Sequence, residues 1–216
     1  MRDYVVLDTE TTGLDPDDEV IEIGVLDMHG TELYHSMFKP QKQIGNAAGR
    51  YNRIMNEMLT DCPAFGQGDW EKIRSLVAGK VVVGHSIDFH ISAIESTMRR
   101  YGVPVEGMEE VFSKAVDTRS IAKQCLETRE YTLKALYEAY VGELGEQRSA
   151  LWSCLRTMEL FQTLYQIAKE RNVKVDVFYR DQKRGVPHGE AGSDSLPGRG
   201  ERGVYCKNQR PDGEDD

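Results

Sequence analysis

The sequence has no long apolar run and few cysteines. No stretch approaches the roughly 20 consecutive apolar residues that a membrane-spanning helix needs, and the apolar part of "MRDYVVLDTE" is too short for the core of a signal peptide. We therefore expect no membrane association and a cytoplasmic location. The four cysteines, at positions 62, 125, 154 and 206, show no CxxC spacing, which favours reduced thiols over a disulfide scaffold or a zinc site.

Positive charge is also scarce. The chain has 27 Lys and Arg residues against 36 Asp and Glu, a net charge of -9. Because phosphate backbones are held mainly by Lys and Arg, this balance argues against bulk attraction of nucleic acid and requires any such contact to be local. It is compatible with a metal site built from carboxylates, since bound cations would offset their charge.

The chain length fits one folded domain followed by a tail. We expect the domain to span residues 1–180, since a chain of 216 residues can bury a sizeable core. Residues 184–216 hold 7 of the 20 glycines and 3 of the 7 prolines, which predicts a disordered tail.

The apolar pattern predicts an α/β fold. "YVVLD", "EVIEIGVLDMHG" and "TELYHSMFKP" have the composition of strands, the last two joined by a turn at residues 29–31, and should form an antiparallel meander. Two short helical stretches separated by Pro63 follow between residues 52 and 77. "KVVVGH" then has the continuous apolar character of a central strand, "DFHISAIESTMRRYG" predicts a helix, and "SKAVDTRSIAKQC" predicts a strand followed by a helix. Two further helices, one starting near Thr132 and a longer one from about Ser149, complete a mixed sheet of about five strands flanked by helices.

An acidic pair closes the first predicted strand. Asp8 and Glu10 in "VVLDTETTGLDP" are two residues apart, so in a strand they project from the same side of the backbone. Adjacent carboxylates repel unless a positive charge lies between them, and such pairs commonly mark a divalent cation site. An acidic strand end exposed to solvent is the alternative.

The surrounding motifs give this pair a more specific meaning. The chain resembles, over roughly residues 3–170, the DEDD 3'-5' exonucleases of the ribonuclease H-like fold, the family that includes the proofreading subunit of bacterial DNA polymerase III. "DTETTGLDP...EVIEIG" is similar to the family's first motif, "VGHSIDF" to its second and "RSALWSCLRTMELF" to its third. The resemblance implies two divalent cations, a histidine general base and a single-stranded DNA or RNA 3' end as substrate. It assigns Asp8 and Glu10 as ligands of Mg or Mn, and it places these residues against the nucleic acid: Thr11, Thr12, Gly13, Leu14 and His85.

The second and third motifs depart from the family pattern at three positions. His90 stands where the family has an aspartate ligand, Arg148 where it has the histidine base, and Ser153 where it has the last aspartate. The family's full site balances about four negative charges against two divalent cations. In this chain the carboxylates of Asp8 and Glu10 and the guanidinium of Arg148 sum to about -1, since His90 and Ser153 are neutral. We therefore predict that tight two-metal binding is lost and that Mg or Mn binds weakly. Since a guanidinium stays protonated, Arg148 cannot serve as the base.

Several roles stay open for the altered positions. Asp88 could bring a carboxylate into the site if its helix starts late, or it could be the N-cap of that helix. His90 could bind a softer cation through a ring nitrogen, or it could be a surface or first-turn histidine without a role. Arg148 could pair with Asp8 or Glu10, grip a phosphate, or be exposed at a helix start.

Two functional hypotheses follow. The first is a metal-dependent 3'-5' exonuclease with an impaired or inactive site. The second is a non-catalytic module that binds a nucleic-acid end or a protein partner on the same fold.

Overall fold

The computed structural model describes residues 3–145 and 149–175. The predicted tail, Arg148 and Cys206 lie outside these residues. The described elements are β1 (Tyr4–Thr11), β2 (Val20–Asp27), β3 (Glu32–Met37), α1 (Asn46–Asn52), a 3-10 helix (Asn56–Leu59), α2 (Gln67–Val77), β4 (Val81–Gly84), α3 (Ile87–Arg100), α4 (Met108–Val111), β5 (Ala115–Asp117), α5 (Thr118–Cys125), α6 (Leu133–Tyr140) and α7 (Ala150–Glu170).

The five strands form one mixed sheet in the order β3-β2-β1-β4-β5. β1 pairs antiparallel with β2 and β2 with β3, so the predicted meander is confirmed. β4 and β5 run parallel to β1, and each is followed directly by a helix. The carboxyl ends of β1, β4 and β5 therefore meet at one edge of the sheet, where ligands bind in open α/β sheets.

Alternation along the central strands builds a core on each face. Val5 and Leu7 pack on one face with α2 and α3, and Val6 and Val83 pack on the other with α5, α6 and α7. None of the helices in the described ranges is long and apolar enough to cross a membrane.

The approach of α7 to the sheet depends on Gly24. A Cβ at this position would lie 2.8 Å from the backbone N of Leu151 and 2.9 Å from the carbonyl carbon of Ala150. Because Gly24 is opposite Asp8 in the β1–β2 register, the start of α7 lies beside the acidic pair. Glycine here lets the third sequence motif reach the first.

Candidate active site

A cavity of about 880 Å³ opens at the carboxyl ends of the parallel strands. It brings together residues from all three motifs, which are far apart in the sequence. The predicted site residues that line it are Asp8, Glu10, Thr11, Thr12, Gly13, Leu14, His85, His90 and Ser153.

Sequence reasoning missed other residues of the lining. Lys42 and Tyr51 come from the segment between β3 and the 3-10 helix, whereas Arg119 is the second residue of α5 and Tyr131 precedes α6. Asn52 also lines the cavity, and its Nδ2 donates to the Thr11 carbonyl at 3.2 Å. The signal that could have found Asn52 is its segment, "YNRIMNEMLTDCPAF", which is similar to a segment of the resembled family.

Asp8 and Glu10 both lie in the cavity and are both buried. Glu22 on β2 is directly opposite Glu10, so three carboxylates share this part of the sheet. Burial, then the charges of Glu10 and Glu22, raise the pKa of Asp8 well above its ordinary value. His35 offers a partner to Glu22, with Nε2 2.8 Å from Oε1.

The His90 ring is buried against the end of β1. The backbone N–H of Thr9 donates to His90 Nδ1 at 3.1 Å, and Thr9 Oγ1 lies 2.9 Å from the same nitrogen. Nδ1 is therefore an acceptor, and the ring proton must be on Nε2, which lies 3.1 Å from the His85 carbonyl oxygen and 3.3 Å from Asp8 Oδ1. Burial lowers the pKa of His90 to about 4.

This arrangement fits neither of the two roles considered for His90. The residue lies in the first turn of α3, as expected for the second of them, but it is 6% exposed and both ring nitrogens have hydrogen-bond partners, so it is not a residue without a role. Nδ1 uses its lone pair for Thr9 and Nε2 carries a proton, so neither nitrogen is available to a cation in this arrangement. The imidazole instead connects α3 to β1 as a neutral hydrogen-bonding group.

His85 supports the turn between β4 and α3. Its Nε2 donates to the Tyr131 carbonyl at 3.0 Å, and its Nδ1 lies 2.9 Å from Thr118 Oγ1. Burial lowers its pKa to about 4. Its ring lines the cavity while its two nitrogens hold neighbouring segments together, in accord with a supporting rather than titrating residue.

Asp88 does not occupy the N-cap predicted for it. The N-cap of α3 is Ser86, which has the left-handed backbone conformation at φ 64°, and the helix begins at Ile87. The early start places Asp88 exposed in the first turn, and the described cavity lining does not include it. The late helix start that would have brought its carboxylate into the site is therefore absent from the described structure.

Ser153 lies in the cavity because α7 starts beside β2. Ser149 caps this helix by accepting a hydrogen bond from the Trp152 N–H at 3.1 Å, which sets the start of the first turn. Ser153 is one turn further on, facing the cavity with a neutral hydroxyl. Arg148, the earlier of the two altered positions in this motif, lies outside the described residues.

The loop after β1 is held by its own hydroxyl groups. Thr11 Oγ1 donates to the Gly13 carbonyl at 2.6 Å, and Thr12 Oγ1 donates to Asp18 Oδ1 at 2.7 Å. Leu14 is left 85% exposed at the cavity. A solvent-exposed apolar side chain on a loop that is fixed by hydrogen bonds is suited to contact a flat apolar group such as a nucleobase.

The donor set does not fit a two-metal centre. Across residues 3–145 and 149–175, no three His, Cys, Asp or Glu side chains are arranged to share a metal ion. Divalent oxygen-binding cations need several oxygen ligands, and His90 and Ser153 supply no carboxylate where the resembled family has two.

Comparison with known proteins identifies relatives of this architecture. The RNase T exonuclease family model matches residues 5–161. The chain is 30% identical over 139 residues to a PolC-type DNA polymerase III of Thermotoga maritima, covering 62% of this chain and 10% of that protein. It is 28% identical over 171 residues to the epsilon subunit of DNA polymerase III of Rickettsia felis, covering 74% of this chain and 71% of that subunit. The chain thus spans about a tenth of the length of the PolC-type relatives it matches.

Solved structures share the fold. Exonuclease X in complex with 5' overhanging duplex DNA superposes with a TM-score of 0.54 at 21% identity, covering 80% of this chain and 95% of that one. E. coli Exonuclease I in complex with a dA16 oligonucleotide gives a TM-score of 0.65 at 13% identity, covering 77% and 41%. These similarities confirm the expected α/β fold, a five-stranded mixed sheet flanked by helices.

Proposed function

The chain belongs to the RNase T exonuclease family, and from that premise we propose that it takes the 3' end of a single-stranded nucleic acid into the cavity but hydrolyses it slowly or not at all. Its relatives include an epsilon subunit of DNA polymerase III, and solved structures of similar fold hold DNA. The cavity supports this ligand because Leu14 and Tyr51, 85% and 66% exposed, offer apolar surfaces on which a terminal base can stack.

One observation carries the impaired chemistry: the neutral His90 ring hydrogen-bonded to Thr9 and in contact with Asp8. Two-metal hydrolysis needs carboxylates that hold cations against the attacking and leaving oxygens. At this position the chain offers a group that bears no negative charge, and at Ser153 it offers a hydroxyl. Loss of a general base alone typically lowers the rate by about 10² to 10⁴, and the guanidinium of Arg148 cannot replace one.

Asp8 and Glu10 remain the proposed ligands for a single weakly held Mg or Mn ion. Two carboxylates are fewer than such cations usually require, so we assign no chemical step to a bound ion. The proposed role of these two residues is to form the acidic floor of the cavity against which the 3' end lies.

The test separates binding from hydrolysis. Single-stranded DNA and RNA oligonucleotides with a 5' fluorophore are titrated in chelator and followed by anisotropy. They are then incubated with magnesium and with manganese beside an Asp8→Ala control. We expect binding without shortening. Shortening by the wild-type chain that disappears in Asp8→Ala would contradict the impaired site, and failure of both oligonucleotides to bind would contradict the ligand.

A restored variant tests whether the motif positions account for the loss. His90→Asp, Arg148→His and Ser153→Asp together recreate the family's ligands and base. If the scaffold is otherwise competent, this variant shortens the oligonucleotides with manganese while each single substitution does not. No recovery in a folded triple variant would show that features other than these three positions block hydrolysis.

A further inference from the structure

The charges that line the cavity are distributed unevenly. The carboxylates of Asp8 and Glu10 form the floor of the cavity, and Asp15 adds a further carboxylate in the loop beyond β1, where Asp18 is paired with Lys42. A phosphate approaching these parts of the cavity meets charge of its own sign. The cations of the lining therefore determine where a phosphodiester backbone can lie.

Lys42 is a cation already compensated by acids. Its Nζ lies 3.0 Å from Asp17 Oδ1 and 2.9 Å from Asp18 Oδ1, an arrangement that raises the pKa of Lys42 and holds the loop after β1. With two carboxylates in contact, this ammonium group offers little net charge to a ligand.

Arg119 differs from Lys42 in this respect. It is exposed in the first turn of α5, and none of the ion pairs within residues 3–145 and 149–175 involves its guanidinium. The carboxylate charge that acts on it is that of Asp117, whose oxygens already accept hydrogen bonds from Ser86, Arg119 and Ser120. The backbone of Arg119 is fixed, because Asp117 Oδ1 accepts hydrogen bonds from the N–H groups of Arg119 at 2.9 Å and Ser86 at 2.8 Å. The side chain thus extends from a firmly held helix start into the cavity.

Its place in the sheet separates Arg119 from the acidic floor. It follows β5, which is two strands from β1, so at about 4.8 Å per strand the two strand ends are about 10 Å apart. A nucleic-acid strand whose 3'-terminal nucleotide lies over Asp8 must therefore pass the end of β4 before one of its upstream phosphates reaches Arg119.

We propose that Arg119 binds a backbone phosphate upstream of the 3'-terminal nucleotide, so that the preferred ligand is an oligonucleotide strand rather than a free nucleotide. This inference rests on the proposed function and specifies its ligand. A guanidinium can contact a phosphate through two parallel N–H groups, and the acidic floor directs the backbone toward this wall.

The experiment compares Arg119 with a cation on the same helix. Lys123 is exposed one turn further along α5 and is not part of the described cavity lining, so Lys123→Gln is the matched control for Arg119→Gln. Affinity for 5'-fluorescein-labelled dT and rU oligonucleotides is measured in chelator from about 50 mM to about 200 mM salt. Arg119→Lys serves as the conservative variant, and thermal melting checks that each variant is folded.

We expect Arg119→Gln to bind about fivefold more weakly at low salt, as for one lost charge-assisted contact. The slope of log affinity against log salt should become shallower by about 0.7, the value for one phosphate contact on a single strand. Lys123→Gln should match the wild type, and Arg119→Lys should keep the slope while losing part of the affinity.

The possible failures are distinguishable. If the wild type binds and Arg119→Gln has the same affinity and the same salt slope, this inference is overturned and the proposed function stands. Equal losses in Arg119→Gln and Lys123→Gln would also overturn it, because they would show diffuse surface attraction. Absence of wild-type binding at low salt would overturn the proposed function itself.

Discussion

The hydrogen bonds of His90 predict that the family's own residue is unfavourable at this position. In His90→Asp, the buried Thr9 N–H loses the nitrogen that accepts it at 3.1 Å, and an unpartnered buried donor costs about 1 to 3 kcal/mol. A further carboxylate is also placed beside Asp8, whose pKa is already raised by burial and by Glu10 and Glu22. We expect a total loss of about 3 kcal/mol in the free energy of unfolding.

The size of this loss makes it measurable by thermal unfolding. At about 2 to 4 °C per kcal/mol for a domain of this size, the Tm of His90→Asp should fall by about 6 to 12 °C in chelator. Asparagine has nearly the same shape as aspartate without its charge, so the difference in Tm between His90→Asn and His90→Asp isolates the electrostatic part of the stability loss. Manganese at about 100 times its Kd for His90→Asp would restore about 2.7 kcal/mol to that variant, and less to His90→Asn, which lacks the added carboxylate.

Two results would refute the reasoning. Equal Tm values for wild type and His90→Asp in chelator would show that the Thr9–His90 hydrogen bond contributes nothing to stability. Equal stabilisation of wild type and His90→Asp by manganese would show that the imidazole does not limit metal binding.

Three further predictions concern packing, pH and metal affinity. Gly24→Ala should lower the free energy of unfolding by about 2 kcal/mol, because its Cβ would press on the α7 backbone, whereas Gly68→Ala, with no atom within 4 Å, should raise it by at most about 1 kcal/mol. Urea unfolding measures both, and equal effects would exclude close packing as the cause. The Tm should fall as pH is lowered from 6.5 to about 4, since the unfolded chain protonates His85 and His90 while the folded chain does not, and the raised pKa of Asp8 offsets part of this loss. If Tm falls as steeply with pH in His90→Asn as in the wild type, the assignment of His90 as a neutral buried group is contradicted. Calorimetry with manganese should give a Kd well above the low micromolar range for the wild-type chain, and a low micromolar value would contradict the charge argument of the sequence.

Much of the fold follows from patterns along the chain. The meander, the central strand at residues 81–84 and the helix starting after Thr132 are predicted by alternation, continuous apolarity and capping residues. α1 and α4 were not predicted, because they have seven and four residues and neither N-cap makes a side-chain hydrogen bond. Helices this short depend on tertiary packing, for which a local pattern gives no signal.

The site divides in the same way. The order of the motifs predicts that Asp8, Glu10, His90 and Ser153 meet, and the structure brings all four to one cavity. The bond between Thr9 and His90 joins residues 81 positions apart, so no local pattern reveals that the ring is fully engaged. The capping error at Asp88 has a similar origin, because α3 starts after Ser86, which has the left-handed conformation and makes no side-chain cap hydrogen bond, so no capping residue marks the start of this helix.

The Thr9–His90 contact also joins two distant parts of the chain. It links β1 to the first turn of α3 across 81 positions of the sequence, at the edge of the sheet where the cavity opens. A substitution at position 90 therefore alters the support of β1 together with the chemical character of the cavity wall. The two effects are separated only where stability and ligand binding are measured on the same variant.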